Sequence, residues 1–382
     1  MYLKSIILKR IIIGLISIAL IGLIIVSIFH DSHASTHSIS YGFALNFTPT
    51  IEGQPARIDE LRKIKSEGFE EVRLELDWNI IQQKNSTTYD WAAFDEIMTD
   101  VKESGLKSIV TLNRTPPWAR SVSCKASYSC APVQPSYFAK FAAAAVERYQ
   151  RYNVSAWEIW NEPNIVNFWQ PAPNPGQYTK LLSDAYVAIK QQDPDAVVLV
   201  GGLTGSATDD EGSSYMDART FLNDLYADNA KNYFDGVAYH PYTSLELPNV
   251  ASPTNGWYKM SYSTPSIRSI MVANGDKNKD VWITEFGAPT NGPGAVATNL
   301  NSNNLPANVD HVTPMEQAQI AQAALNSLKS DNWIEDLDWY TYMDSGTDTS
   351  STGDFYGLVD FYGNFKPSYY SAEKALKISN NN

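Results

Sequence analysis

The chain has 382 residues, 43% hydrophobic and 19% charged, which is enough apolar content for a buried core and excludes a disordered chain. Its net charge is −13, and since the first 30 residues hold three cations and no acid, the remainder stands at −16. A body that acidic repels nucleic acid and anionic membrane surfaces and disfavours anionic polymers, leaving a neutral or cationic ligand.

The amino terminus stands apart. Lys4, Lys9 and Arg10 precede an uncharged run of 19 residues, Ile11 to Phe29. As a helix this run would span roughly 28 Å, close to the hydrocarbon thickness of a bilayer. The cationic flank predicts export of the rest of the chain. An uncleaved signal anchor is favoured over a cleaved signal peptide, for which Ser32-His33-Ala34 offers a passable site. Residues 1–30 are therefore set aside as a transmembrane or signal helix, and residues 31–382 are read as one domain, extracellular and either tethered or secreted.

From Ile39 onward, strand-like runs alternate with amphipathic helical ones. The predicted strands are Ile39–Phe47, Glu71–Asp77, Lys107–Asn113, Ser155–Trp160, Ala196–Gly202, Asp235–His240, Val281–Phe286 and Leu337–Met343. The predicted helices are Ile58–Glu67, Trp91–Ser104, Ser136–Tyr152, Gly176–Gln192, Ala218–Asn229, Pro265–Asn274, Pro314–Ser330 and Ser368–Lys377. Runs such as Val197–Val200 are apolar on both faces, as buried parallel strands are. Gly68 and Gly105 sit where the first two helices should stop. Eight such units predict an α/β fold, the closed (β/α)8 barrel. An open doubly wound sheet is the rival, but no Gly-x-Gly-x-x-Gly follows the first strand. Two long insertions, Thr204–Asp217 and Asn291–Asp310, follow the fifth and seventh strands, at the face where barrel active sites sit. Cys124 and Cys130, the only cysteines, flank five residues in a polar stretch and predict a local disulfide in an exported protein.

The fourth strand runs into Trp-Asn-Glu-Pro-Asn, residues 160–164, and the seventh into Thr-Glu-Phe-Gly, residues 284–287. Pro163 ends strand pairing and leaves Glu162 at the barrel mouth; Glu285 occupies the matching place on the seventh strand. Two carboxylates across one mouth suit glycoside cleavage, one protonating the leaving oxygen and the other attacking the anomeric carbon. The attacking carboxylate must be ionised, which a nearby arginine favours, and the acid must keep its proton near neutral pH.

These motifs, with Arg73 in Glu-Glu-Val-Arg-Leu-Glu-Leu-Asp-Trp, His240-Pro-Tyr242 and the closing Tyr-Gly-Leu…Lys-Pro segment, resemble clan A glycoside hydrolases. The likeness is to the family 39 and family 5 group, which includes bacterial exopolysaccharide endoglycosidases, and it covers most of the chain from Ser38. It implies a retaining glycosidase with Glu162 as acid/base and Glu285 as nucleophile. It further implies that Asn161 binds the 2-hydroxyl of the reacting sugar and that Arg73 keeps Glu285 ionised. His240 and Tyr242 would line the site, the tyrosine hydroxyl holding the nucleophile. An aromatic at the end of the eighth strand would floor the reacting subsite, and either Trp339 or Tyr342 is placed to do so.

Aromatics reach 12%, which suits sugar stacking or a Trp-rich core. Trp118 and Trp169 are the candidates for outer subsites; Trp78, Trp160 and Trp257 also fall at strand ends or in loops, whereas Trp91, Trp282 and Trp333 read as packing. Asp344, Asp348 and Asp354 could bind calcium but read better as a solvated loop. The chemistry requires no metal and no cofactor. The expected partner is a neutral carbohydrate, met by a monomeric ectodomain. A transglycosylase with the same residues and a non-catalytic carbohydrate-binding surface protein are the alternatives.

Overall fold

The computed structural model describes residues 39–45, 54–124, 126–209 and 214–379. The expected signal or anchor helix, residues 1–30, lies outside them, and among the described residues no helix is long and apolar enough to cross a membrane. Eight parallel strands close into a barrel: β1 (Ser40–Leu45), β2 (Glu71–Asp77), β3 (Lys107–Asn113), β4 (Val154–Asn161), β5 (Val198–Thr204), β6 (Gly236–His240), β7 (Val281–Phe286) and β8 (Ile334–Trp339). β8 pairs with both β7 and β1, which shuts the ring. Among the described residues eight helices of seven residues or more surround it, beside the single turn Trp78–Ile81: α1 (Gln54–Ser66), α2 (Ala92–Ser104), α3 (Pro135–Tyr149), α4 (Pro175–Gln192), α5 (Ala218–Ala227), α6 (Ile267–Ala273), α7 (Pro314–Leu328) and α8 (Pro367–Ser379). The (β/α)8 barrel expected from the sequence is thus the fold.

Local chemistry accounts for the helix limits. Asn174 accepts a hydrogen bond from the Gln177 amide, and Pro175 pre-sets the first turn of α4. Thr313 and Glu316 form a reciprocal box at the start of α7. Gly105 ends α2 in the left-handed region, at φ 79°, where a side chain would be strained.

The strands carry a more particular pattern. On β2, Val72, Leu74 and Leu76 are buried among the surrounding helices, while Glu71, Arg73, Glu75 and Asp77 form the inward row. On β8, Leu337 and Trp339 face the helices, and Asp336 and Asp338 face the barrel axis. The barrel interior is therefore lined by ionisable side chains along two strands. That polar row explains one displaced boundary: β8 starts at Ile334, three residues before the expected Leu337, because Glu335 and Asp336 mask a strand that reads apolar only on its outer face. The Asn291–Asp310 insertion folds back on itself, with Ala295–Val296 pairing with Val309–His311.

Candidate active site

β4 must turn its last residues into the barrel mouth, and it does so with non-glycine residues in the left-handed region: Trp160 at φ 75° and Glu162 at φ 42°. The conformation at Trp160 breaks the two-residue alternation. Trp160 swings outward, where its indole donates to the Phe168 carbonyl at 2.7 Å, and Asn161 and Glu162 are delivered inward. Gly201 and Gly202 on β5 make this possible. A Cβ on Gly201 would lie 2.4 Å from the Ile159 carbonyl oxygen, and one on Gly202 would lie 2.1 Å from the His240 ring. Asn164 pins the turn from beyond, donating to the carbonyls of Thr204 at 3.0 Å and Met216 at 2.9 Å.

Arg73 is the central cation. Its Nη1 donates to Glu285 Oε1 at 2.7 Å, its Nη2 to Asn161 Oδ1 at 2.7 Å, and its Nε to Glu158 Oε2 at 2.6 Å. Tyr242 donates its hydroxyl to Glu285 Oε2 at 2.9 Å, so both oxygens of that carboxylate are held. Burial pushes the Glu285 carboxyl up, but the nearby His240 and Arg73 charges and the Tyr242 hydrogen bond outweigh it and hold the group below its ordinary 4.5. Burial, and next the Glu285 charge, raise the Tyr242 phenol well above 10, so it remains a donor. His240 Nδ1 lies 3.0 Å from Glu162 Oε1, and its Nε2 lies 3.1 Å from the Thr284 hydroxyl. Burial depresses this imidazole, yet the Glu285 and Glu162 carboxylates win and raise it above 6.5. One oxygen each of Glu162 and Glu285 and one ring nitrogen of His240 lie within 4.8 Å of one another. That spacing would also admit a cation, but each of the three is already engaged by protein groups.

Two clefts open from this point and share Glu162. One, of about 730 Å³, is lined by Arg73, Asn161, Glu285 and Tyr340 and reaches Glu75, Asp77 and Arg114. The other, of about 600 Å³, is lined by Tyr242, Tyr356, Thr204, Ser206 and Tyr215, with Asp310 from the β7 insertion. At the rim of the first, Arg114 pairs with Glu75 and lies 3.5 Å from Asp77. Burial and the Glu75 charge push Asp77 up to about 6, against the pull of Arg114. The Cys124–Cys130 disulfide is formed, with Cα atoms 5.9 Å apart, and its loop sets Tyr128 against Arg114, the guanidinium 4.4 Å from the ring centre.

The structure brings together Arg73, Asn161, Glu162, His240, Tyr242 and Glu285, and it moves four aromatics out of the site. Trp339 faces the helix layer and packs on Phe286 at 5.1 Å. Tyr342 sits behind β1, on Phe43 and against Glu67. Neither lines a cleft; Tyr340 does, the residue just after β8, continuing the inward row of 336 and 338. Trp169 is 1% exposed between Trp160 and Tyr178, and Trp118 donates its indole to the Gln82 carbonyl and packs on Trp78. Both support the wall and line neither cleft. Trp78, Trp160 and Trp257 are likewise fully buried. Asp344 is bound by Lys366 at 2.7 Å, which removes it from any acidic cluster with Asp348 and Asp354. Sequence reasoning missed Glu158, Thr284, Tyr340 and Tyr356. Glu158 left a signal: a glutamate inside an otherwise apolar strand must find a buried partner.

A family model described as Cellulase (glycosyl hydrolase family 5) matches residues 40–327. A β-xylosidase of Geobacillus stearothermophilus is 25% identical over 209 residues, covering 52% of this chain and 36% of that one, so the chain spans about a third of that relative. Among solved structures, a family 39 glycoside hydrolase from Bacteroides cellulosilyticus WH2 superposes with a TM-score of 0.62 at 19% identity, over 90% of this chain and 64% of the other. A monomeric β-xylosidase from Caulobacter crescentus CB15 gives 0.61 at 18%, over 88% and 67%. Xylanase 10B from Thermotoga petrophila RKU-1, solved with xylobiose, gives 0.57 at 14%, over 90% and 96%. At these identities the structural likenesses establish the fold. The family match runs from the first barrel strand to the seventh helix, and on that ground the chain belongs to glycosyl hydrolase family 5, a family of glycoside hydrolases.

Proposed function

We propose that this chain cleaves β-linked poly- or oligosaccharides by double displacement with retention of configuration, Glu285 acting as nucleophile and Glu162 as acid/base. The carrying observation is the approach of their oxygens to within 4.8 Å. Retaining pairs stand about 5–5.5 Å apart, whereas inverting pairs need roughly 6.5–9.5 Å to admit a water. The environments divide the roles. Glu285 is gripped by Arg73 and Tyr242 and held ionised, as an attacking carboxylate requires. Glu162 faces His240 and the junction of the two clefts, where a leaving oxygen would lie.

In the first step a Glu285 oxygen bonds to the anomeric carbon while Glu162 gives its proton to the departing oxygen. In the second, Glu162 takes a proton from water, which attacks the same carbon and releases Glu285. Asn161, oriented by Arg73, offers its amide to the sugar 2-hydroxyl. Tyr340 supplies the apolar face beneath the reacting ring. The acidic body and cleft favour a neutral glycan.

Retention is tested by following product anomers by NMR; inverted product would sink the mechanism. A 2-fluoro glycoside with a good leaving group is expected to label Glu285, and label elsewhere reassigns the nucleophile. Glu162→Ala is expected to harm substrates with poor leaving groups most and to be rescued by azide, which attacks without needing a base.

We also propose that the enzyme works outside the cytoplasm, held by residues 1–30. The uncharged run behind three cations supports this, as does a disulfide, which persists in oxidising compartments. Fractionation and amino-terminal sequencing test it: a soluble product starting near Ser35 would replace the anchor with a cleaved signal.

A further inference from the structure

We propose that Glu158 and Thr284 are positioning residues that fix the tautomer of His240 and thereby keep a transferable proton between His240 and Glu162. The proposal rests on the acid/base role given to Glu162 above. It starts from the hydrogen-bond inventory around Glu158, a fully buried carboxylate in the middle of β4. Its Oε2 receives the Arg73 Nε at 2.6 Å and the Thr111 hydroxyl at 2.7 Å. Its Oε1 receives the Gly202 amide at 2.6 Å, the Arg73 Nη2 at 3.2 Å and the Thr284 hydroxyl at 3.4 Å. Every neighbour in this set donates to the carboxylate, the Thr284 hydroxyl with its single hydrogen included.

The consequence passes along β7 to β6. With its hydrogen committed, Thr284 offers His240 Nε2 only a lone pair, 3.1 Å away. Nε2 must then carry the ring hydrogen. A neutral imidazole has one such hydrogen, so Nδ1, 3.0 Å from Glu162 Oε1, is left without one. The Nδ1–Oε1 contact is a hydrogen bond only if it holds a second proton, beyond the one the neutral ring carries. That second proton can leave with the departing sugar oxygen and be replaced from water. In the other tautomer the ring's single hydrogen would satisfy the contact, and Glu162 Oε1 would need no proton there. Glu158 thus serves both carboxylates: it steadies Arg73 against Glu285 directly and sets the state of Glu162 through Thr284 and His240. The space it needs comes from Gly202, where a Cβ would fall 2.7 Å from Glu158 Oε1 and 2.1 Å from His240 Nε2.

The test uses the full chain with 15N-labelled histidine, its signals assigned by comparison with His240→Asn. Wild-type spectra are expected to show a protonated Nε2 on His240. Thr284→Val, which keeps the shape and removes the hydroxyl, is expected to move the hydrogen to Nδ1. The same variant should lose on the order of tenfold or more on poor leaving groups and far less on activated aryl glycosides. Thr284→Ser should restore both signals. Glu158→Gln should shift the tautomer in the same direction, since an amide accepts the threonine hydrogen more weakly. If Thr284→Val does not fold, Thr284→Ala carries the same expectations. An unchanged tautomer in these variants, or an equal loss across leaving groups, overturns the proposal. Should Glu162→Ala show no leaving-group dependence, the acid/base reading fails separately, and the nitrogen spectra still decide the tautomer.

Discussion

The upper and lower halves of the barrel interior are built from the same kinds of side chain and treat them in opposite ways. In the upper half, Arg73, Glu158, Glu162, His240 and Glu285 each take part in at least one side-chain hydrogen bond of 2.6–3.2 Å. In the lower half, the inward residues Glu71, Asp336 and Asp338 are as deeply buried, yet among the described residues no lysine or arginine forms an ion pair with Asp336 or Asp338. Burial, and next the Asp338 and Glu71 charges on Asp336 and the Glu71 charge on Asp338, raise both aspartates well above 3.8. A buried carboxyl can thus be kept charged by placed donors or be left to hold its proton. The half that faces the clefts has Arg73 and Tyr242 on its Glu285 carboxylate, where an attacking group needs its charge.

Arg73→Met should break this contrast most severely. It strands two buried carboxylates, which costs about 3–5 kcal/mol when one partner of a buried pair is removed. Urea unfolding should register that loss. The acidic limb of kcat/KM should move to higher pH, because Glu285 loses the cation that holds its carboxyl low. A variant as stable as wild type would mean that the upper network is not carrying the charge.

The disulfide comes next. Replacing Cys124 and Cys130 by serine should cost about 2 kcal/mol by loop-closure entropy for so short a loop. It should also loosen Tyr128 from Arg114 at the rim. Unfolding with and without reductant measures the first effect, and KM for long substrates the second.

Tyr340 stands at the top of the inward row that begins at Asp336. Tyr340→Ala should lower kcat/KM about tenfold, equivalent to about 1.4 kcal/mol of lost transition-state contact. Trp339→Phe should leave kinetics near wild type and lower the melting temperature instead. The reverse result would show that the register of β8 has been misread.

Asp336→Asn should give the smallest change, and one of opposite sign. The carboxyl of Asp336 is raised on folding, so its contribution to stability is full below about pH 4 and is lost as pH rises through the folded value. Asparagine cannot lose that proton. The variant should therefore decline less with rising pH and melt higher than wild type at neutral pH. A variant less stable than wild type at every pH would show that the lower half is wired as firmly as the upper.

Much of this was legible beforehand. β2, β3 and β7 begin and end where alternation and turn residues place them, and Glu162 and Glu285 stand out because Pro163 and Gly287 cut their strands short. The resemblance extended that reading to Arg73, Asn161, His240 and Tyr242, whose side chains the structure gathers around Glu162 and Glu285. The aromatics were not legible. Trp118, Trp169, Trp339 and Tyr342 differ from Tyr340 and Tyr356 only in which way each points, and composition carries no direction. On β8 the acids hid the start of the strand, and nothing local to its end shows which of its aromatics turns inward.

The sequence by itself determined the order of strands and helices and the two glutamates, because hydrophobic period and chain-breaking residues act within a few neighbours. The tertiary structure decided which acids keep their charge. Arg73, Glu158 and Glu285 lie on three different strands and meet only when the barrel closes. A carboxylate deep in a protein is stabilised by donors within hydrogen-bond reach, and no local run of residues states which donors those will be.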